Sequence, residues 1–213
     1  MDNDEANGAI AREQLLKVLS FRHACKLFDA ARSVAREDID FILQAGRLSP
    51  SSLGLEHWRF IVVQDPALKL ALQAACQDQA QLGSASAIIV VLALKADLDP
   101  DSEYVATVFH GLAPTGAAFR SLLAFYRRYL KGVDRVWWSV AQCHIAAANM
   151  MTAAAAIGID SCPIGGFDPQ RVRRALGIDD AKFEVALLLP IGYRAEPQPP
   201  LRRLPLSDLV KYR

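Results

Sequence analysis

Apolar residues recur along the chain at two spacings, one helical and one strand-like. Ile10, Leu15, Leu16 and Leu19 predict an amphipathic helix over 9–19. Ile39, Ile42, Leu43 and Leu48 predict a second over 36–48, with Glu37 and Asp38 at its positive N-terminal end. Between them, SFRHACKLFD sets Arg22 and Lys26 among small residues without a clean period, which predicts a loop. WRFIVV (58–63) is short, aromatic and β-branched, and predicts a strand. SAIIVVLAL (86–94) is continuously apolar, as a strand covered on both faces would be, and 183–193 is the third strand. Asp65-Pro66 supplies an N-cap and an N1 proline for a helix through Leu68, Leu72 and Ala75; Asp168-Pro169 repeats the device, and Gly177 closes that short helix. Long helical stretches over 102–130 and 134–157 separate the second and third strands. Strands interleaved with helices predict an α+β or α/β layer with a few-stranded mixed sheet.

Nothing in the composition divides this pattern. No linker interrupts the 213 residues, so a single domain over 1–213 is expected, with a proline-rich C-terminal arm over about 194–213. With 52% hydrophobic and 22% charged residues, the chain can bury a sizeable core. The formal net charge is +1 and the basic residues are scattered, so no nucleic-acid surface is expected. Cys25, Cys76, Cys143 and Cys162 show neither C-x-x-C spacing nor a Cys/His cluster; buried free thiols in a reducing cytosol are expected, and no metal site. The polar, acidic first ten residues lack a basic n-region and an apolar h-region, so cytoplasmic residence is expected rather than secretion. The alanine-rich tract over 144–159 is broken by Asn149 and Thr152, falls short of the ~20 strongly apolar residues that span a bilayer, and predicts a buried central helix instead of a membrane contact.

Chemistry is expected in three small-residue loops, RHACK, SPSSLGLEHW and CPIGGFD, together with Arg202 and Arg203 in the tail. Taken singly, each reads as a turn or a solvated charge. Taken in order, they resemble the nitroreductase family of FMN-dependent flavoproteins. Arg22, His23, Ala24, Lys26 and Phe28 match its early motif; LSPSSLGLEHWRFIVV and GIDSCPIGGFD match its second and third. A helix carrying Trp138 and Gln142 precedes the third, as in family members.

The resemblance implies an α+β nitroreductase-like fold, a central mixed or antiparallel sheet flanked by helices, in a domain-entwined C2 homodimer with FMN at the subunit interface. It implies an NAD(P)H-dependent oxidoreductase acting by ping-pong hydride transfer through flavin N5 on nitroaromatics, quinones or similar flat acceptors, with NADPH or NADH as a transient donor. Arg22 and Arg203 would hold the phosphate, a role suited to guanidinium groups, with His23 as an added donor and Ala24 beside them in the cofactor site. Lys26 would stabilise the reduced ring near N1, and the backbone of Pro163, Ile164, Gly165 and Gly166 would lie against N5. Pro50, Ser51, Ser52, Gly54 and Glu56 would form another wall of the cofactor site, with Gln81 near the pyrimidine. Phe125 or Tyr126 lines the acceptor slot or packs in the helical core. His57, in place of the usual proline before Trp58, is expected at the surface or in packing.

Departures from the best-known branch are Ala24 for a phosphate-side Ser, Gly54 for Asn, Glu56 for Gln, Gln81 for a Lys, Gly165 for a Glu beside N5, and Leu201 for a phosphate-side Lys. They imply weaker FMN binding, a lower flavin potential and a roomier pocket. Two other readings stay open: a specialised family member performing dehalogenation, flavin fragmentation or metabolite dehydrogenation, and a flavin-binding protein with little turnover.

Overall fold

The computed structural model describes residues 10–213. The acidic segment before them, including Ala9, the expected first residue of the first helix, lies outside the described residues.

Four strands, β1 (Trp58–Val63), β2 (Ala87–Leu94), β3 (Asp160–Ser161) and β4 (Phe183–Gly192), form one antiparallel sheet in the order β1-β2-β4-β3. The fold is therefore α+β, and the mixed character allowed by the sequence reduces, among the described residues, to one parallel bridge between Ala24 and Ser161. The apolar run of β2 explains its central place, since all eight of its residues are buried. Ala87, Ile89, Val91 and Ala93 face a core built with α2 (Arg36–Arg47) and α7 (Arg135–Ala156). Ile88, Val90 and Leu92 face the opposite core, under α3 (Pro66–Ala75) and α8 (Pro169–Leu176). Each such Val, Leu or Ile contributes roughly 1.5–3 kcal/mol by leaving water.

The local signals hold in detail. Asp65 accepts the Leu68 amide at the start of α3, Asp168 accepts the Gln170 and Arg171 amides at the start of α8, and Gly177 closes α8 at φ 63°. The alanine-rich helix is central as expected, burying Cys143, Ala146, Ala147, Met150, Ala154 and Ala155.

The long helix expected over 102–130 is two. α5 (Glu103–Leu112) ends before Pro114, and Thr115 caps α6 (Gly116–Leu130) by accepting the Ala118 amide. Proline has no amide to donate and biases the residue before it away from helical angles, so the break falls there. α5, α6 and the start of α7 enclose a third core around Leu98, Val105, Phe109 and Tyr126.

The first helix is shifted, running as α1 (Arg12–Phe21), and none of its residues is buried. The sequence pattern also gave no sign of the short α4 (Ala80–Ser84) or of β3. The tail is an exposed arm carrying one turn, α9 (Leu206–Leu209). No described helix is long and apolar enough to cross a membrane.

Candidate functional site

The RHACK loop is fixed against β3. Ala24 bridges Ser161, and the Cys25 amide donates to the Ser161 carbonyl at 3.2 Å. Beside this contact Asp160 is buried and accepts two hydrogen bonds on Oδ2, from the Arg194 amide and from Arg194 Nε, both at 3.0 Å. Arg194 Nη2 also comes within 2.7 Å of Asp160 Oδ1, but out of line for a hydrogen bond, and His23 Nδ1 lies 3.5 Å from the same oxygen. Burial first, then the Arg194 charge, lowers the His23 pKa below its ordinary 6.5, with Asp160 opposing.

Arg194 carries this anchor into the tail. Its guanidinium stacks over Phe21 at 4.3 Å, and Nη1 donates to Gln198 Oε1 at 2.9 Å while Gln198 Nε2 donates to the Ser20 carbonyl at 3.1 Å. The arm is thereby pinned across the end of α1. A groove of about 510 Å³ results, lined by Arg22, His23, Ala24 and residues 198–203, including Arg202 and Arg203. Three guanidinium groups and no carboxylate line it, which suits an anion.

A second, smaller groove of about 250 Å³ continues along residues 23–27 to Glu196 and Pro197. Lys26 Nζ lies 4.0 Å from Cys162 Sγ, and the amide of buried Gln81 approaches the same sulfur at 3.9 Å. Gln81 Nε2 also donates to Gln79 Oε1 at 2.9 Å, and Gln79 Nε2 donates to the Gly166 carbonyl at 3.2 Å. These glutamines therefore tie α4 to the CPIGG turn. Ile164 pairs with Leu188 in both directions, at 2.8 and 3.0 Å, so the turn is fastened to β4 while Pro163, Gly165 and Gly166 stay exposed. A Cβ added at Gly165 would meet nothing within 4 Å. The thiols here are poor nucleophiles: burial pushes Cys25 up to about 11 and raises Cys162, which Lys26 and Gln81 lower only in part.

The serine loop is elsewhere. Ser49 is buried and accepts from Asn149 Nδ2 at 2.8 Å; Ser51 Oγ accepts the Glu56 amide at 2.9 Å; the Ser52 amide donates to Gln142 Oε1 at 3.0 Å. Gln142 sits toward the opposite end of α7 from Ala156, which leads into β3, and at 1.5 Å per residue the two are roughly 20 Å apart. The sheet gives a matching measure. Trp58 stands across from Ala93 and hence Glu184, whereas Ser161 stands across from Ile191, and Glu184 to Ile191 along β4 is roughly 23 Å. Arg22, His23, Lys26, Gln81 and Arg203 thus gather toward the β3 end of the fold, the turn at 163–166 reaches from there along β4 to Leu188, and the loop from Pro50 to Glu56 sits at the other end. That loop is strained for ordinary residues: Leu53, Gly54 and Glu56 have φ of 57°, 64° and 39°. At Gly54 the left-handed angle explains why glycine and asparagine are the two residues in question, since both tolerate it. Glu56 also borders a groove of about 520 Å³ between α2 and β1.

His57 is wholly buried, edge-on to Trp138 at 4.5 Å, with neither ring nitrogen hydrogen-bonded; burial alone lowers its pKa to about 4. It packs, as one of the two expectations had it. Tyr126 is likewise core, its hydroxyl donating to the Leu98 carbonyl at 2.7 Å, which leaves Phe125, half exposed, as the one of that pair open to an acceptor. Asp160, Arg194 and Gln142 were given no role by sequence reasoning. The Asp of GID inside the third motif and the Arg directly after the last strand were the available signals.

Residues 19–193 match the nitroreductase family. A Staphylococcus haemolyticus protein provisionally named an NAD(P)H nitroreductase is 36% identical, over 94% of this chain and 98% of its own. A Staphylococcus epidermidis crystal structure, provisionally described as an NAD(P)H:FMN oxidoreductase, superposes with a TM-score of 0.77 at 26% identity, over 93% of this chain and 95% of that one. An Exiguobacterium sibiricum structure, provisionally described as a nitroreductase in complex with FMN, shares the fold with a TM-score of 0.77 at 22% identity, over 96% of this chain and 98% of that one.

Proposed function

Because the chain belongs to the nitroreductase family, we propose that it is an FMN-dependent oxidoreductase that uses NADPH or NADH to reduce nitroaromatics, quinones or similar flat acceptors. The observation that carries this reading is the gathering of Arg22, His23 and Arg203 along one groove, with Lys26 and the exposed Gly165-Gly166 backbone beside it. The FMN named for two structures of this fold fits that donor set, with its phosphate end among the guanidinium groups.

When bound, FMN supplies the two-electron chemistry. The residues do the rest. Arg22 and Arg203 hold the phosphate; Lys26 supplies a positive charge where negative charge accumulates on reduction. The CPIGG turn, fastened to β4 through Ile164, offers backbone donors without a side chain at Gly165, and so leaves room for a flat molecule. NAD(P)H and the acceptor use that opening in turn.

The serine loop takes part from a second copy of the chain. This homodimer is supported by the separation of roughly 20 Å along α7 and by the apolar side chains of α1 and α7 left exposed, Leu16 at 61% and Trp137 at 71% among them. An absorbance scan followed by anaerobic addition of NADPH and then NADH tests the reading. A flavin band that bleaches with either is expected. A protein that stays colourless after FMN is added overturns it.

A further inference from the structure

Two buried polar atoms without an aligned hydrogen bond face each other beneath the anion groove, His23 Nδ1 and Asp160 Oδ1, 3.5 Å apart, with Arg194 Nη2 paired to the same oxygen at 2.7 Å and the Phe21 carbonyl as a further acceptor beside the ring. Such orphans are rare in folded proteins, and a facing pair is the geometry of a hydrogen bond that lacks only a suitably placed proton and a small closing movement. His23 also lines both grooves. Its ring is therefore shared between a fixed carboxylate below and whatever anion docks above.

A neutral imidazole cannot satisfy both. With its proton on Nδ1 it donates to Asp160 and turns a lone pair toward the docked anion; with the proton on Nε2 it turns the lone pair toward Asp160. Only the imidazolium donates in both directions. Arg194 does not remove the need, because its two aligned hydrogen bonds go to Oδ2 and leave Oδ1 without one.

Resting on the flavin reading above, we propose that Asp160 is a positioning residue of the phosphate end: it holds His23 so that the ring takes up a proton from solvent as a phosphate monoester docks, and the imidazolium then bridges ester and carboxylate. The other charges facing His23 are Arg22 on its own segment, Arg194 after β4, Lys26 and Glu196 along the smaller groove, and Arg202 and Arg203 on the arm. Burial first, then Arg194 and Arg22, lower the ring's pKa below 6.5 before docking, with Asp160 and the Phe21 carbonyl opposing. An arriving dianion reverses the balance, and an opposite charge at such range raises a pKa by about 1–3 units.

The test is calorimetric titration of the flavin-depleted full-length protein with FMN at pH 7.5, in phosphate-free buffers of different ionisation enthalpy; the slope of the heats counts the protons. Uptake of roughly half a proton or more per FMN is expected for the wild type. His23→Gln should reduce it to near zero, and Asp160→Asn should at least halve it while FMN still binds. Should Asp160→Asn fail to fold, Asp160→Glu, which keeps a carboxylate but moves it relative to His23, takes its place and should likewise lower the uptake. Binding with no proton uptake by the wild type, or uptake unchanged in either variant, would overturn this inference and leave the flavin reading standing. Failure of FMN to bind at all would overturn the flavin reading and this inference together.

Discussion

Ser52 donates its backbone amide to Gln142 Oε1 at 3.0 Å, and this bond holds the serine loop toward one end of α7 while Lys26 and Arg22 cluster beyond the other. Under the homodimer reading each FMN site takes its serine loop from one subunit and its arginines from the other. Mixing is then informative. A dimer of one Arg22→Ala chain and one Ser51→Ala/Ser52→Pro chain should regain one of two full-affinity FMN sites, although each variant alone is weakened at both. Flavin content of the purified mixed dimer near half the wild-type value supports the shared site; content no higher than in the parent variants argues that each chain builds its own.

Arg22→Ala and Arg203→Ala should each weaken FMN retention. Hydrogen bonds to charged groups are worth about 1.5–3 kcal/mol, so a loss of roughly ten- to a hundredfold in affinity is expected, measured by flavin fluorescence during dialysis. Arg36, an exposed residue of α2 paired with Asp40 at 2.9 Å, serves as control, and its alanine variant should retain FMN.

Lys26→Ala should lower the potential of the bound flavin. A loss of about 1.4 kcal/mol in stabilisation of the reduced form is on the order of 30 mV for a two-electron couple. A dye-coupled titration reads this directly; an unchanged potential would place the ammonium away from the ring.

Acid should destabilise the fold through His57. Its folded pKa of about 4 lies below the ordinary 6.5, so the unfolded chain binds the proton first. The stability that the neutral ring contributes is complete above about pH 6.5 and is lost as pH falls toward 4. Between pH 7 and 5 this amounts to about 2 kcal/mol. Thermal midpoints across that range should fall less steeply for His57→Phe than for the wild type; parallel curves would assign the acid sensitivity to other groups.

Gly46→Leu should destabilise the α2–α7 contact. Even a Cβ there would stand 2.9 Å from Met150 and 3.0 Å from Phe60, and forcing more atoms into a packed core costs about 1–3 kcal/mol. Urea midpoints compared with the wild type measure it.

What the sequence made legible was local. Asp65-Pro66 and Asp168-Pro169 announce helix starts because cap and proline act within one turn, and β2 announces a central strand because each of its residues must be buried. Pro114 is an equally local signal, and it marks the break between α5 and α6 within the stretch expected to be helical. β3 was not legible, since two residues carry no period and exist as a strand only through their pairing with Gly192 and Ile191. The same holds for the site. Arg22, Lys26 and the CPIGG turn were found through motif order, but the link between Asp160 and Arg194 joins residues 34 positions apart that are individually unremarkable.

The α5–α6 hairpin, set apart by the break at Pro114, is secured by its own means. Tyr126 is bonded to the Leu98 carbonyl, Arg127 pairs with Asp101, and Tyr104 donates to the Leu55 carbonyl at 2.8 Å, so the attachment runs to the turn after β2 and to the loop before β1. Its outward side chains include Leu112 and Phe125. The hairpin's inner face is thus committed to the third core, so a change at Leu112 or Phe125 on its outer face leaves the two sheet cores and the arginine groove as they are.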